Sequence, residues 1–204
     1  LEALGELVNR TVLAGTNQML DVRDGKTYPT VTIGGQTWMA KNLDFKTDSS
    51  WCFGNDEANC AIYGRLYSWS AMMGLSDACD STSCGSQVPE KPRGVCPANW
   101  HVPADSEWAV LLAPLGEGPG RILKTTARWA NTSGIDSVGF KALPGGFRPA
   151  PGQFYNLTTN AGFWTATEQD LGYVWCYHLN YYDDLMPGLA FSKKAGLSVR
   201  CVKD

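Results

Sequence analysis

The seven cysteines are the strongest constraint on what this 204-residue chain can fold into. Two of the intervals between them are short enough to favour local disulfide bonds, and a third, long-range bond would then use two more cysteines. Spacing alone does not fix connectivity, so other pairings stay open. The predicted pairs are Cys52 with Cys60, Cys79 with Cys84, and Cys96 with Cys201. Cys176 would be left over.

The other residues favour an oxidising compartment. The chain holds 22 Gly, 8 Trp and 8 Tyr, and paired cysteines in such a background are typical of secreted proteins. The alternatives are reduced thiols or a zinc site, and the absence of any Cys-x-x-Cys pair disfavours zinc. A net charge of −3 argues against a nucleic-acid partner. No apolar run approaches the ~18 residues that cross a bilayer, so no transmembrane segment is predicted.

Two segments with different patterns divide the chain. Residues 1–20 lack tryptophan and cysteine and are predicted to form an N-terminal helix or arm, because their apolar residues have helical spacing. These residues are Leu1, Leu4, Leu7 and Val8. Residues 21–204 are long enough for one domain with a substantial core and are predicted to form it.

Local patterns within residues 21–204 predict an α+β domain. Two β-rich runs, 30–33 and 36–39, flank Gly34-Gly35, which is typical of a hairpin because the favoured two-residue turn needs positive φ. Apolar residues at helical spacing predict helices over 64–74 and after Pro103. Short strands separated by glycine and proline turns then follow, which indicates the α+β class. The candidate strands are 140–143, 162–167, 173–179, 188–191 and 198–203.

Several motifs occur in a fixed order along residues 22–204. They are Gln36-Thr37-Trp38-Met39-Ala40-Lys41-Asn42-Leu43, Tyr63-Gly64-Arg65-Leu66-Tyr67-Ser68-Trp69, the segment 96–108 with Cys96-Pro97-Ala98-Asn99-Trp100-His101, Ala142-Leu143-Pro144-Gly145-Gly146-Phe147-Arg148, Phe163-Trp164-Thr165-Ala166-Thr167-Glu168, and the terminus around Cys201. In this order the motifs resemble the Fibrobacter succinogenes major paralogous domain family.

That resemblance implies a C-type-lectin-like fold, in the branch shared with formylglycine-generating enzymes and with the variable proteins of diversity-generating retroelements. Such a fold packs two helices on a twisted antiparallel sheet with long, disulfide-stapled loops. The resemblance also supports the pairing of Cys96 with Cys201. It implies a secreted bacterial protein, extracellular or on the cell surface.

The sequence offers no complete metal site. The Glu-Pro-Asn, Gln-Pro-Asp and Trp-Asn-Asp motifs of calcium-dependent, sugar-binding C-type lectins do not occur. Asn180, Asp183 and Asp184 would supply three oxygens, whereas calcium takes about six to eight. No cofactor is therefore predicted, and calcium is the less favoured alternative.

An enzyme would depend on Cys176. Cys176 and His178 lie two residues apart on a predicted strand and share a face, so a formylglycine-generating-type or thiol-dependent enzyme would use this pair. A buried thiol beside a packing histidine is the favoured interpretation, because free cysteine is among the most buried residue types. The chain is predicted not to be an enzyme.

Tyrosine, asparagine and aspartate concentrate in the loops 153–160 and 180–186 and in the strand 173–179. Tyrosine supplies contact area at low entropic cost and asparagine supplies adaptable hydrogen bonds. These segments predict one exposed face that binds a protein or carbohydrate ligand on a cell or substrate surface, as in an adhesion or recognition module. By the resemblance, a retroelement would diversify this region. A structural component of a surface layer or pilus is the remaining alternative. The predicted contact residues are Tyr155, Asn156, Tyr177, Asn180, Tyr181, Tyr182 and Asp183.

Overall fold

The computed structural model describes residues 17–131, 134–149 and 152–204. Its strands are β1 (Gln18–Asp21), β2 (Lys26–Ile33), β3 (Gln36–Met39), β4 (Ser50–Trp51), β5 (Leu66–Tyr67), β6 (Trp100–His101), β7 (Asn160–Glu168), β8 (Tyr173–Asn180), β9 (Gly188–Ser192) and β10 (Val202–Lys203). Its helices are α1 (Glu57–Tyr63), α2 (Trp69–Met73), α3 (Asp105–Leu112) and α4 (Pro119–Leu123). None of the helices in these ranges has the length and apolar character needed to span a membrane.

The strands form antiparallel sheets, and with the few short helices they make a mixed α/β fold. One sheet has the order β1-β2-β3-β10-β6, a second consists of β4 and β5, and a third has the order β7-β8-β9. The predicted arm over 1–20 lies mostly outside the described residues. Its last residues, 18–20, belong to β1, which pairs with β2.

The predicted glycine hairpin is confirmed by the pairing of β2 with β3. Ile33 lies opposite Gln36, and the two residues between them, Gly34 and Gly35, have φ of 60° and 81°. Both values fall in the left-handed region that residues with a Cβ rarely adopt. The type I′ geometry that matches strand twist therefore depends on these glycines.

The helix predicted over 64–74 is shorter in the structure. Only Trp69–Met73 is helical, and Ser68 caps it by accepting a hydrogen bond from the N–H of Ala71 at 3.2 Å. The residues before the cap are in β5, because Leu66 and Tyr67 pair with β4. The preceding helix α1 was not predicted.

Helix α3 follows Pro103 as predicted. The carboxylate of Glu107 accepts a hydrogen bond from the backbone N–H of Ala104 at 2.9 Å, which satisfies one of the donors at the helix start. The same carboxylate lies 2.9 Å from Nε2 of His101. Trp108 is fully buried and anchors the inner face of this helix in the interior of the protein.

The later strands match the predictions in part. β7, β8 and β9 contain the predicted strands 162–167, 173–179 and 188–191. Residues 140–143 contribute only an isolated bridge between Ala142 and Lys124, and within 198–203 only Val202–Lys203 is a strand.

The sheet β7-β8-β9 separates two apolar cores. In β7, Trp164 faces the first core and Phe163 the second; in β8, Cys176 faces the first and Tyr177 the second. Successive side chains on a strand point to opposite faces, so both strands are covered on both sides. The first core also contains Trp69 and Trp100, whereas the second contains Trp38, Trp108 and Phe140.

The described residues contain three disulfide bonds, and they join the pairs indicated by the sequence. The bond between Cys96 and Cys201 spans 105 residues and lies within the first core. In the chain-entropy model, closing a loop of this size stabilises the fold by about 4 kcal/mol. Cys176 is unpaired and buried, as predicted.

A buried lysine fastens the loop around Cys84 to the sheet. The ammonium group of Lys193 donates to the carboxylate of Glu168 and to the carbonyl oxygens of Thr82 and Leu171, the last two at 2.9 and 3.1 Å. The same carboxylate accepts from the N–H of Cys84 at 2.8 Å. Burying this charge is tolerable because every donor and acceptor in the group has a partner.

A buried arginine connects β3, the 140–141 segment and the C-terminal segment. The guanidinium of Arg200 donates to Oδ1 of Asn42 at 2.6 Å and to the carbonyl oxygens of Met39, Phe140 and Lys141 at 2.9, 2.7 and 2.9 Å. It also lies over the Phe140 ring, 4.6 Å from the centroid. Burial lowers the pKa of Arg200 to about 9.

We expect Arg200→Lys to destabilise the protein by about 2–4 kcal/mol, because a lysine ammonium cannot reach four acceptors in a planar fork and leaves buried carbonyls unsatisfied. Urea unfolding with the disulfides intact measures this loss. Arg121→Lys is the control, because Arg121 is exposed and its replacement should change the free energy of unfolding by less than about 0.5 kcal/mol. Equal effects of the two changes would contradict this role of Arg200.

Candidate functional site

The loops 153–160 and 180–186 meet at the open end of the β7–β8 hairpin. Nδ2 of Asn160 donates to Oδ1 of Asn180 at 2.8 Å. The N–H of Tyr181 donates to the carbonyl oxygen of Thr159 at 2.9 Å. We call the predicted contact residues on these two loops the recognition face. It comprises Tyr155, Asn156, Asn180, Tyr181, Tyr182 and Asp183.

The tyrosines of the recognition face are exposed. The exposed fraction is 69% for Tyr182, 45% for Tyr155 and 36% for Tyr181. The rings of Tyr181 and Tyr182 are nearly perpendicular, with centroids 5.3 Å apart, which is a favourable edge-to-face geometry. The face therefore presents exposed aromatic surface in which the rings of Tyr181 and Tyr182 support one another.

The backbone of the first loop is fixed by its own hydrogen bonds. Tyr155 exchanges two backbone hydrogen bonds with Phe147, at 2.9 and 3.0 Å. Asn156 has a φ of 62°, a conformation that asparagine tolerates better than most residues. Its carbonyl oxygen accepts from the N–H groups of Thr159 and Asn160. This turn places Asn156 next to the start of β7.

Tyr177 lies in the second core, not on the recognition face. Only 7% of Tyr177 is exposed, its ring stacks on Trp108 at 5.2 Å, and its hydroxyl donates to Oδ1 of Asp105 at 3.0 Å. Burial raises its pKa. The prediction of an exposed strand over 173–179 is wrong because β8 is the middle strand of a sheet with a core on each side; of the strand's tyrosines, only Tyr173 is exposed.

A buried lysine holds the second loop. The ammonium group of Lys124 donates to the carbonyl oxygens of Asn180 and Asp183 at 3.0 and 2.6 Å and lies 3.9 Å from the Asp184 carboxylate. Burial lowers the pKa of Lys124, and the charges of Asp184 and Asp183 oppose that shift. Two backbone carbonyls and the Asp184 carboxylate thus surround a cation that the chain itself supplies, while the side-chain oxygens of Asn180 and Asp183 accept from Asn160 and from the N–H of Leu185. The sequence analysis did not single out Lys124 as a residue of this site. The only sequence signal for it is its position directly after the apolar end of α4.

A glycine lets helix α4 approach the same loop closely. A Cβ on Gly120 would lie 2.4 Å from the carbonyl oxygen of Leu185 and 2.8 Å from that of Asp184. The N–H of Gly120 donates to the Asp184 carbonyl at 2.7 Å. Any larger residue at 120 would push the loop away.

The environment of Cys176 and His178 opposes thiolate chemistry. Cys176 is fully buried, and its Sγ donates to the carbonyl oxygen of Leu189 at 3.3 Å. Burial raises the pKa of Cys176 to about 12 and lowers that of His178 to about 4. A nucleophilic cysteine needs the reverse, a thiol acidified by a neighbouring cation.

Comparisons with known proteins identify one family. A family model described as the Fibrobacter succinogenes major domain matches residues 31–203. No curated protein and no solved structure matches the chain.

We expect the Cys176 thiol to stay unmodified by an aromatic disulfide reagent at pH 8, because a pKa near 12 leaves a negligible thiolate fraction and the sulfur is buried. Unfolding in guanidinium without reductant should release one reactive thiol per chain. Absorbance at the released chromophore measures both. Rapid labelling of the native protein would contradict a structural role for Cys176.

We expect Lys124→Met to loosen the 180–186 loop, because methionine fills the space but leaves the Asn180 and Asp183 carbonyls without the ammonium donor. Amide hydrogen exchange over 181–186 should become at least tenfold faster in the variant. Lys91→Met, at an exposed position, is the control and should leave that exchange unchanged. Unchanged exchange in both variants would show that the loop does not depend on Lys124.

Proposed function

The chain belongs to the Fibrobacter succinogenes major domain family, and we propose that it is a secreted or cell-surface bacterial recognition module. Its ligand is a protein or a carbohydrate on a cell or substrate surface. The recognition face makes the contact, and the module carries out no chemistry.

The observation that most supports this proposal is a set of exposed tyrosines on loops fixed from beneath. Lys124 and Gly120 hold the 180–186 loop, and the Asn160–Asn180 hydrogen bond joins it to the other loop. A loop already held in one conformation loses less entropy on binding. Tyrosine combines a large apolar ring with a hydroxyl, which suits both sugar rings and protein surfaces.

The fold and compartment that we propose agree with this role. Short helices, antiparallel sheets and a disulfide bond between Cys96 and Cys201 support a C-type-lectin-like arrangement, in which loops carry recognition on a fixed scaffold. Three disulfide bonds support an oxidising, extracellular location. Diversification by a retroelement would act on the loops of the recognition face, where sequence changes leave both cores intact.

We expect the combined change of Tyr181 and Tyr182 to alanine to weaken ligand binding at least tenfold. Central aromatic residues contribute about 2 kcal/mol each when they are binding hot spots, and about 1.4 kcal/mol is a factor of ten in affinity. A glycan array and flow cytometry on intact cells identify a ligand for the unmodified chain, and titration of that ligand then compares the variants.

Tyr173→Ala is the matched control. Tyr173 is 49% exposed but lies at the other end of β8, opposite Ser192, so its removal should leave affinity unchanged. Unchanged affinity after the double change would refute the recognition face, as would an equal loss in the control.

A further inference from the structure

The outer edge of strand β9 has no partner in the described part of the chain. β9 pairs with β8 over five consecutive residues without a bulge, from Gly188 opposite Tyr177 to Ser192 opposite Tyr173. It is the last strand of the sheet β7-β8-β9. The opposite side of the sheet differs, because β7 receives a hydrogen bond from Ser198 along its outer edge.

The pairing pattern shows which backbone groups face outward. The N–H of His178 donates to the carbonyl of Pro187, and the N–H of Lys193 donates to the carbonyl of Gly172. In an antiparallel pair, residues that exchange hydrogen bonds alternate with residues that do not. The outward-facing groups therefore belong to Gly188, Ala190 and Ser192. Across residues 17–131, 134–149 and 152–204, the N–H groups of Gly188 and Ala190 find no acceptor.

β9 lacks the features that normally protect an edge strand. Proteins blunt such edges with charged residues, prolines or bulges, whereas β9 reads Gly-Leu-Ala-Phe-Ser and is regular. Leu189 is 43% exposed on this strand. A regular, uncharged and partly apolar edge is a template for another strand.

We propose that a second copy of this chain covers this edge, by antiparallel pairing of β9 with β9 about a two-fold axis at Ala190. This register lets the outward groups of Gly188 in one copy pair with those of Ser192 in the other. It places Leu189 opposite Phe191 twice, once on each side of the axis, as apolar cross-strand pairs. The two sheets become one continuous six-stranded sheet.

The charges at the two ends of β9 favour this antiparallel self-pairing. Asp184, which lies four residues before the strand and keeps a 47% exposed side chain beside Lys124, is the acidic residue at one end, and the exposed Lys194 follows the strand at the other. Antiparallel pairing brings the acidic end of one copy to the basic end of the other, at both ends of the interface. No charge lies within the strand itself, so no like charges meet at the axis.

The register is tested by Ala190→Cys. Two cysteines at the axis would lie about 5.5 Å apart between Cα atoms, within the range for a disulfide. Under mild oxidation this variant should form a cross-linked dimer, seen on non-reducing gels. Leu189→Cys, which faces Phe191 of the other copy, should cross-link at least tenfold more slowly. Equal rates for the two variants would overturn this register.

Self-association is tested by sedimentation over a concentration series up to about 1 mM, where even weak dimers are populated. The unmodified chain should approach twice its mass of 22.2 kDa. Leu189→Lys should raise the dimer dissociation constant at least tenfold. The control is Val110→Lys, on helix α3, because Val110 is 44% exposed and so matches Leu189.

A chain that stays monomeric throughout overturns the proposal, as does a dimer that both lysine variants weaken equally. Near-ultraviolet circular dichroism verifies the folding of each variant; if Leu189→Lys does not fold, the cross-linking result decides. These measurements need no ligand, so their outcome is independent of the recognition face.

Discussion

The buried guanidinium of Arg200 is the interaction on which the rest of this structure depends. It satisfies backbone carbonyls of Met39, Phe140 and Lys141 at once, so it connects segments far apart in the sequence. The next residue in the chain, Cys201, adds a further connection. Cys201 extends into the first core, where it is bonded to Cys96, while the Arg200 side chain lies over rings of the second core. The short segment formed by Arg200 and Cys201 thus contacts both cores, which lie on either side of the sheet β7-β8-β9.

The same device, a buried cation on backbone carbonyls, recurs at both ends of the β7–β8 hairpin. Lys193 binds the carbonyl of Leu171 at the turn, and Lys124 binds those of Asn180 and Asp183 at the open end. Irregular loops have few backbone partners of their own, and an ammonium group offers three donors to them. The 180–186 loop of the recognition face is therefore held by the interior of the protein, while Tyr181 and Tyr182 stay exposed.

The sequence predicted those parts of the fold that depend on residues close together in the chain. Gly34-Gly35 predicted a hairpin, and short intervals between cysteines favoured two disulfide bonds. The helix over 64–74 was predicted too long because the pairing of β5 with β4 takes Leu66 and Tyr67, and that pairing is not visible from helical spacing. Tyr177 was placed on the surface because its polar neighbours resemble a solvent-facing strand. Tyr177 is buried because β8 has an apolar core on each side. Those cores are formed by residues that are distant in the sequence, so a local pattern does not reveal them.

The part of the recognition face on the 180–186 loop and the β9 edge lie on one continuous segment. Residues 181–187 lead from the exposed tyrosines to the start of β9, and Lys124 and Gly120 fix that segment from beneath. The two-fold pairing that we propose through β9 would consequently hold two recognition faces at a fixed distance and orientation. A surface that repeats its ligand can then engage both faces, and the second contact forms at the high effective concentration set by the first. If the proposed recognition face and the proposed pairing both hold, weak binding by a few tyrosines would become firm attachment without any additional contact in either loop.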